Sequence, residues 1–274
     1  MHFEPKGLRA LALALLLGAS PEPAAHAQAR EEPPANTPVR LDGAALGAGS
    51  LREAKERTER LGFVWSDPGP TDWTRLGAIR LKSGALAWTL DAGEPFALLW
   101  TRALRPYLSW RTYRRGLPAP VGLGDDPRAA QPNHAVGVVA VIGLVGALDD
   151  AVKNVEQQEP FRSGHGAMRF QRPFRIADLG ASAADAPVPG GGFVRLIAPS
   201  DPAARCASWV TGGPGRWVGL VLESDDLEAT AAFYDAKHVP YRRIERDVPS
   251  IQLDPEDTGG VLIEFVGRGW RPHA

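Results

Sequence analysis

Glu264 stands in the apolar run VLIEFV, residues 261–266. Strand alternation puts Val261, Ile263 and Phe265 on one face and Leu262, Glu264 and Val266 on the other. If the first set packs under a helix, Glu264 lies on a concave apolar face, where a carboxylate can act as a general base or orient a bound molecule. Imidazoles are the natural partners for such a group. His134 precedes an apolar strand pattern and can reach the same face, whereas His165 sits in the loop sequence Ser-Gly-His-Gly. His238 follows a helical pattern, where it reads as a C-cap favoured by the helix dipole. No HxH, HxxxH or HExxH spacing joins any of these, so no metal motif is written in local sequence. Cys206 is the single cysteine, which excludes a cysteine-based zinc cluster and an intramolecular disulfide. The glycine clusters at 190–192 and 212–215 match neither GxGxxG nor a P-loop and read as turns. No Gly-x-Ser-x-Gly elbow is present.

Composition narrows the partners. Of 274 residues, 44% are hydrophobic and 23% charged, with a net charge of −1, so no global field draws the chain to nucleic acid or anionic membrane. One basic stretch, with Arg105, Arg111, Arg114 and Arg115 among Tyr107, Trp110 and Tyr113, has the composition of a single-strand binder. Overall neutrality favours reading it as a surface linker. Residues 1–27 have the order of a secretory signal: Lys6 and Arg9, then a short apolar run at 10–19, then Ala25, His26 and Ala27. That run is shorter than the roughly 20 residues a bilayer requires. The expectation is therefore an exported protein, periplasmic or extracellular, with no stable membrane insertion after signal removal. Residues 28–38 read as a flexible leader.

The elements that must position Glu264 recur three times as strand, turn, helix, strand. VRLDGAALGAG precedes SLREAKERTERLGFVW, VGVVAVIGLV precedes ALDDAVKNVEQQ, and GRWVGLVLES precedes DDLEATAAFYDAKHVPYRR. Ser50 with Glu53, and Asp225 with Glu228, have the spacing of capping boxes. Leu51, Ala54, Thr58 and Leu61 form the expected inward stripe of the first helix. Leu148, Val152 and Val155 form it in the second, and Leu227, Thr230, Ala231 and Tyr234 in the third. The intervals Leu51 to Phe63 and Leu227 to Val239 are equal at 12 residues, which supports a repeat. Hairpins follow each helix: LGAIRL with ALAWTL, RFQRPFRI with GFVRLI across a loop at 178–192, and IQL with VLIEFV across DPEDTGG. Strands interleaved with helices exclude an all-β sandwich, and the antiparallel hairpins argue against a doubly wound parallel sheet.

LDGAALGAGSLREAKERTERLGF resembles the opening of a module of the glyoxalase-like, or vicinal-oxygen-chelate, superfamily. PFALLW, QPNHAVGVVAVIGLV and DPEDTGGVLIEFV resemble further landmarks of it, in order, over residues 39–267. The resemblance implies an α+β fold of repeated βαβββ modules, with curved, mostly antiparallel sheets around a scoop and helices outside. It divides the chain into a first module at 39–120, a linker at 121–135, and a second half at 136–267 holding two further repeats. In that family histidines on first strands and glutamates on last strands commonly hold a divalent ion. Counting eight residues back from the leading leucines gives Gly43, Ala140 and Gly219 at the histidine positions. Leu99, in PFALLW read as the closing strand of the first copy, falls where an acidic or amide residue often sits, and only Glu264 keeps a ligand type. The resemblance thus implies a ligand pocket of Gly43, Leu99, Gly219, Leu262, Glu264 and His134, with Glu264 as the catalytic candidate and Trp100 and Trp217 as walls. The glycines would leave room there for a small organic molecule. No metal or other cofactor is expected. The alternative is a lyase, isomerase or dioxygenase that assembles a single divalent metal from other ligands.

Overall fold

A computed structural model describes residues 40–48, 50–65, 75–83, 85–90, 96–100, 127–156, 169–188, 191–209, 215–245 and 248–271. All belong to the compact unit Pro33–Ala274. The leader, the basic–aromatic stretch at 105–115, His165 and His273 lie outside the described residues.

The second half builds one curled sheet from two βαβββ units. The first unit runs β5 (Ala135–Val145), α2 (Leu148–Glu156), β6 (Phe174–Ile176), β7 (Ala181–Pro187) and β8 (Phe193–Pro199). The second runs β9 (Gly215–Ser224), α3 (Leu227–Lys237), β10 (Arg242–Ile244), β11 (Ser250–Leu253) and β12 (Leu262–Gly267), with a one-turn helix α4 (Pro255–Thr258) in the DPEDTGG segment. The eight strands lie in the order β10-β11-β12-β9-β5-β8-β7-β6. Each closing strand runs parallel to its own first strand, β8 along β5 and β12 along β9, and the two first strands meet antiparallel at the centre. The expected α+β scoop is therefore formed.

The N-terminal copy has a sheet of its own. β1 (Arg40–Ala48), α1 (Leu51–Arg60), β2 (Arg75–Arg80), β3 (Ala85–Leu90) and β4 (Phe96–Trp100) pair in the order β2-β3-β1-β4. PFALLW does not fill the place of the closing strand expected for it. The strand parallel to β1 is β3, whereas PFALLW is β4, antiparallel on the opposite edge. The segment 178–192 is not a loop throughout, because β7 occupies its middle. Its sequence ASAADAP lacks the β-branched and aromatic residues that mark strands, but strand preference reflects packing more than backbone bias. Ala183, Ala184 and Ala186 are completely buried there.

Alternation along the strands sorts side chains onto two faces. Val194, Leu196, Ile251, Leu253, Ile263 and Phe265 share one apolar cluster with Ala54 of α1, its C-cap Leu61, and Ala231 and Tyr234 of α3. Phe193, Ile197, Leu262 and Val266 share the other, concave, cluster with Cys206 and Trp209 of a short 3-10 turn. Most of the expected helix stripes are buried; Leu227 is half-buried, and two further positions differ. Leu51 is 46% exposed, and Ala151 rather than Val152 completes the stripe of α2. Ser50 caps α1 by accepting the Glu53 amide. The cap of α3 is Asp226, which accepts the Ala229 amide, one residue beyond the expected Asp225. Among the described residues no helix is long and apolar enough to cross a membrane.

Polar residues join the first copy to the scoop. Asn133 is fully buried; its Nδ2 donates to the Leu61 carbonyl at 2.7 Å and its Oδ1 accepts the Ala135 amide at 3.1 Å. Gln131 accepts the Val64 amide and donates to the Arg80 carbonyl. Gly62 ends α1 with φ +75°, and a Cβ there would lie 2.3 Å from the Phe233 ring, so this position requires glycine for both its conformation and the approach of α3.

Candidate functional site

The concave face carries a row of buried polar side chains. Register places Asp185 of β7 beside Arg195 of β8, and Gln252 of β11 beside Glu264 of β12. Arg195 donates from Nε and Nη2 to the two carboxylate oxygens of Asp185, both at 2.8 Å. Its Nη1 lies 4.0 Å from Glu264 Oε2, and Ser250 Oγ donates to Glu264 Oε1 at 2.8 Å. Arg195, Asp185 and Glu264 are respectively 1%, 0% and 4% exposed. The guanidinium carbon sits 5.3 Å from the ring centroids of Phe174 and Phe193 and 5.5 Å from that of Trp270, within cation–π range. Burial alone would lower the Arg195 pKa; the Asp185 hydrogen bond and the charges of Asp185 and Glu264 more than offset it and hold the pKa above the ordinary value. Arg195 is a permanent buried cation.

A second group adjoins it through Gln252. Arg205 of the 3-10 turn donates from Nη1 to Gln252 Oε1 at 2.8 Å, pairs with Asp254, and stacks 5.6 Å from Trp209. Arg242 donates to the same Asp254 at 3.2 Å. Burial and the neighbouring Arg242 push the Arg205 pKa down. Gln252 is fully buried, and its Nε2 has no hydrogen-bond partner among the described residues.

The sequence candidates are dispersed around this row. Glu264 and Leu262 do lie on the concave face, Leu262 in its apolar cluster. Gly219 pairs with Leu262, and an added Cβ would come within 2.3 Å of the Leu262 carbonyl oxygen. The space beside that glycine is filled by β12 and is not free for a ligand. Gly43 lies buried in the separate four-stranded sheet, paired with Ala85 and Leu98. Leu99 pairs with Leu41 in β4; its side chain, and those of Trp100 and Trp217, lie outside the described residues. His134 is at the end of the sheet with φ +63°, and its Nδ1 lies 3.1 Å from Asp225. Lys82 and Arg268 approach the same carboxylate at 3.1 and 3.6 Å. Burial would raise the Asp225 pKa, but hydrogen bonds from Lys82 and His134 outweigh it and hold the carboxyl below its ordinary value. His134 is thus committed to a surface ion cluster and not to Glu264. His238 caps α3 in the left-handed region, as its position in the sequence suggests.

Arg195, Asp185, Gln252 and Ser250 were not legible as site residues. A signal does exist for Arg195: GGFVRLI and GGVLIEF each follow two glycines with an apolar strand interrupted by one charge.

Among the described residues the donor set does not fit a divalent metal. Among the described residues no three His, Cys, Asp or Glu side chains converge closely enough to hold one. The first-strand positions marked out by the resemblance carry Gly43, Ala140 and Gly219, none with an imidazole, and Glu264 already faces a guanidinium. Transition-metal sites typically use three protein ligands.

No protein-family model matches the chain, and no curated protein does. Solved structures do. Methylmalonyl-CoA epimerase from Mycobacterium tuberculosis is 24% identical over 51% of this chain and 93% of that one, with a TM-score of 0.43. A Streptomyces coelicolor methylmalonyl-CoA epimerase variant in complex with 2-nitronate-propionyl-CoA is 18% identical over 48% and 97%, with a TM-score of 0.39. A hypothetical protein from Bacillus halodurans C-125 is 12% identical over 50% and 97%, with a TM-score of 0.38. These neighbours resemble about half of the chain at low identity.

Proposed function

We propose that this protein is exported and binds a small organic molecule in the scoop of its eight-stranded sheet, without a metal ion. The observation that carries the ligand half is Gln252. Its amide oxygen is held by Arg205, and its amide nitrogen is buried with no partner among the described residues. A buried donor left open costs about 1–3 kcal/mol, which an acceptor oxygen of a bound molecule would recover. The favoured ligand therefore presents a carboxylate or carbonyl oxygen to Gln252, beside Trp209 and the Arg205 guanidinium. The metal-free half is supported by the three first-strand positions without imidazole and by the commitment of Glu264 to Ser250 and Arg195.

The test uses residues 28–274. Elemental analysis is expected to find far less than one equivalent of Fe, Mn, Ni or Zn. A thermal-shift screen of small carboxylic acids and carbonyl compounds is expected to yield a stabilising hit, whose shift disappears in Gln252→Leu. One equivalent of metal, lost in Glu264→Ala, would restore the metal-dependent reading. A screen without hits, or a hit unaffected by Gln252→Leu, would overturn the ligand assignment.

Export has its own test. The full chain made in a bacterial host is expected in the periplasm or medium with Gln28 as its first residue. Intact protein beginning at residue 1 in the cytoplasm would sink this part of the proposal.

A further inference from the structure

The three copies share one register. Gly43 pairs with Ala85, Ala140 with Phe193, and Gly219 with Leu262. Each first-strand residue stands eight positions before its helix-leading leucine, Leu51, Leu148 or Leu227. Two residues further along the three closing strands stand Ala87, Arg195 and Glu264. The next strand out places Ala78 beside Ala87, Asp185 beside Arg195, and Gln252 beside Glu264. The antiparallel meeting of β5 and β9 pairs Ala140 with Val221 and Ile142 with Gly219, which relates the two halves of the scoop by a local two-fold axis. Arg195 and Glu264 are therefore counterparts, and they face one another across that axis at 4.0 Å.

We infer that the Arg195 guanidinium is a built-in cation, filling the place between the two closing strands where a two-carboxylate site would take a cation from solution. This deepens the metal-free reading above and rests on it. Asp185 grips one edge of the guanidinium in a bidentate pair, and Glu264 Oε2 lies 4.0 Å from its third nitrogen, Nη1. Phe174, Phe193 and Trp270 surround the ion with aromatic rings, a surrounding that favours a weakly hydrated, delocalised cation. Shortening Arg195 to alanine would leave two buried carboxylates and an aromatic wall around a gap. Such a gap is a receptor for a small cation, either a guanidinium ion or a divalent metal.

The experiment measures melting temperature for the wild type, Arg195→Ala, and Arg195→Ala with Glu264→Gln. Each is run alone and with millimolar methylguanidinium, Mn²⁺ or Zn²⁺. Arg195→Ala is expected to melt roughly 10 °C lower and to regain about half of that loss with one of these cations. The gain should be absent in the double variant and in the wild type. Should Arg195→Ala be recovered only as aggregate, refolding with and without methylguanidinium is the readout, and a several-fold higher yield of folded protein is expected. A folded variant that no cation restores, an unchanged refolding yield, or an equal response of the wild type would overturn the inference. Stoichiometric metal in the wild type would overturn both readings, whereas a metal-free wild type with an unrescued variant would overturn this one alone.

Discussion

Asp185→Asn is expected to remove about 3–5 kcal/mol of stability, because it breaks a buried ion pair by deleting one partner. Asp185 is fully buried, and both of its carboxylate oxygens accept hydrogen bonds from Arg195. The asparagine keeps the shape, but it returns no charge to the guanidinium and leaves Glu264 as the nearby anion, at 4.0 Å. For a domain of this size, roughly 2–4 °C of melting temperature accompanies each kcal/mol. The loss should therefore be at least about 6 °C by calorimetry or circular dichroism. The triple variant Asp185→Leu, Arg195→Met, Glu264→Leu removes every charge of the cluster together and is expected to recover most of the loss, since the desolvation cost disappears with the ions. A single variant within 1 kcal/mol of the wild type would show that the pair contributes little.

Asn133→Ala is expected to cost about 2–4 kcal/mol. It deletes the donor to the Leu61 carbonyl and orphans the Ala135 amide inside the protein, each at roughly 1–3 kcal/mol. The Leu61 carbonyl keeps one partner, the Tyr234 hydroxyl at 3.1 Å, which limits the damage. Because Asn133 touches the end of α1, the start of β5 and α3 together, the loss should also appear as faster amide exchange in residues 51–65. Denaturant melts within 0.5 kcal/mol of the wild type would contradict this account.

The architecture was readable where pattern and function coincide. Helix stripes and the alternation around Glu264 are signals of burial, and burial is what the sequence spells most directly. β7 was missed because its alanines carry no strand signature, although complete burial between neighbours selects small side chains. The closing strand of the first copy was misassigned because PFALLW is more apolar than ALAWTL, and hydrophobicity does not encode which edge of β1 a strand joins. Arg195 escaped notice for a different reason. A charged residue in a strand reads as solvent-facing, and the likeness of GGFVRLI to GGVLIEF gains its meaning from the register, which Arg195 shares with Glu264. Asn133 lies in a segment read as a linker, where polar residues are expected and a buried one is indistinguishable from the rest.

β5 extends beyond the end of its partner β8, whose pairing begins at Ala140. On the bare margin that this leaves, Ser83 of the first copy donates its amide to the Val136 carbonyl at 2.8 Å and accepts the Val138 amide at 3.2 Å. Ser83 of the N-terminal copy thus satisfies backbone groups of β5 that β8 leaves unpaired. Without it, the central strand of the scoop would present an open hydrogen-bonding edge flanked by Ala135, Val136 and Val138, the kind of template that recruits strands from other molecules.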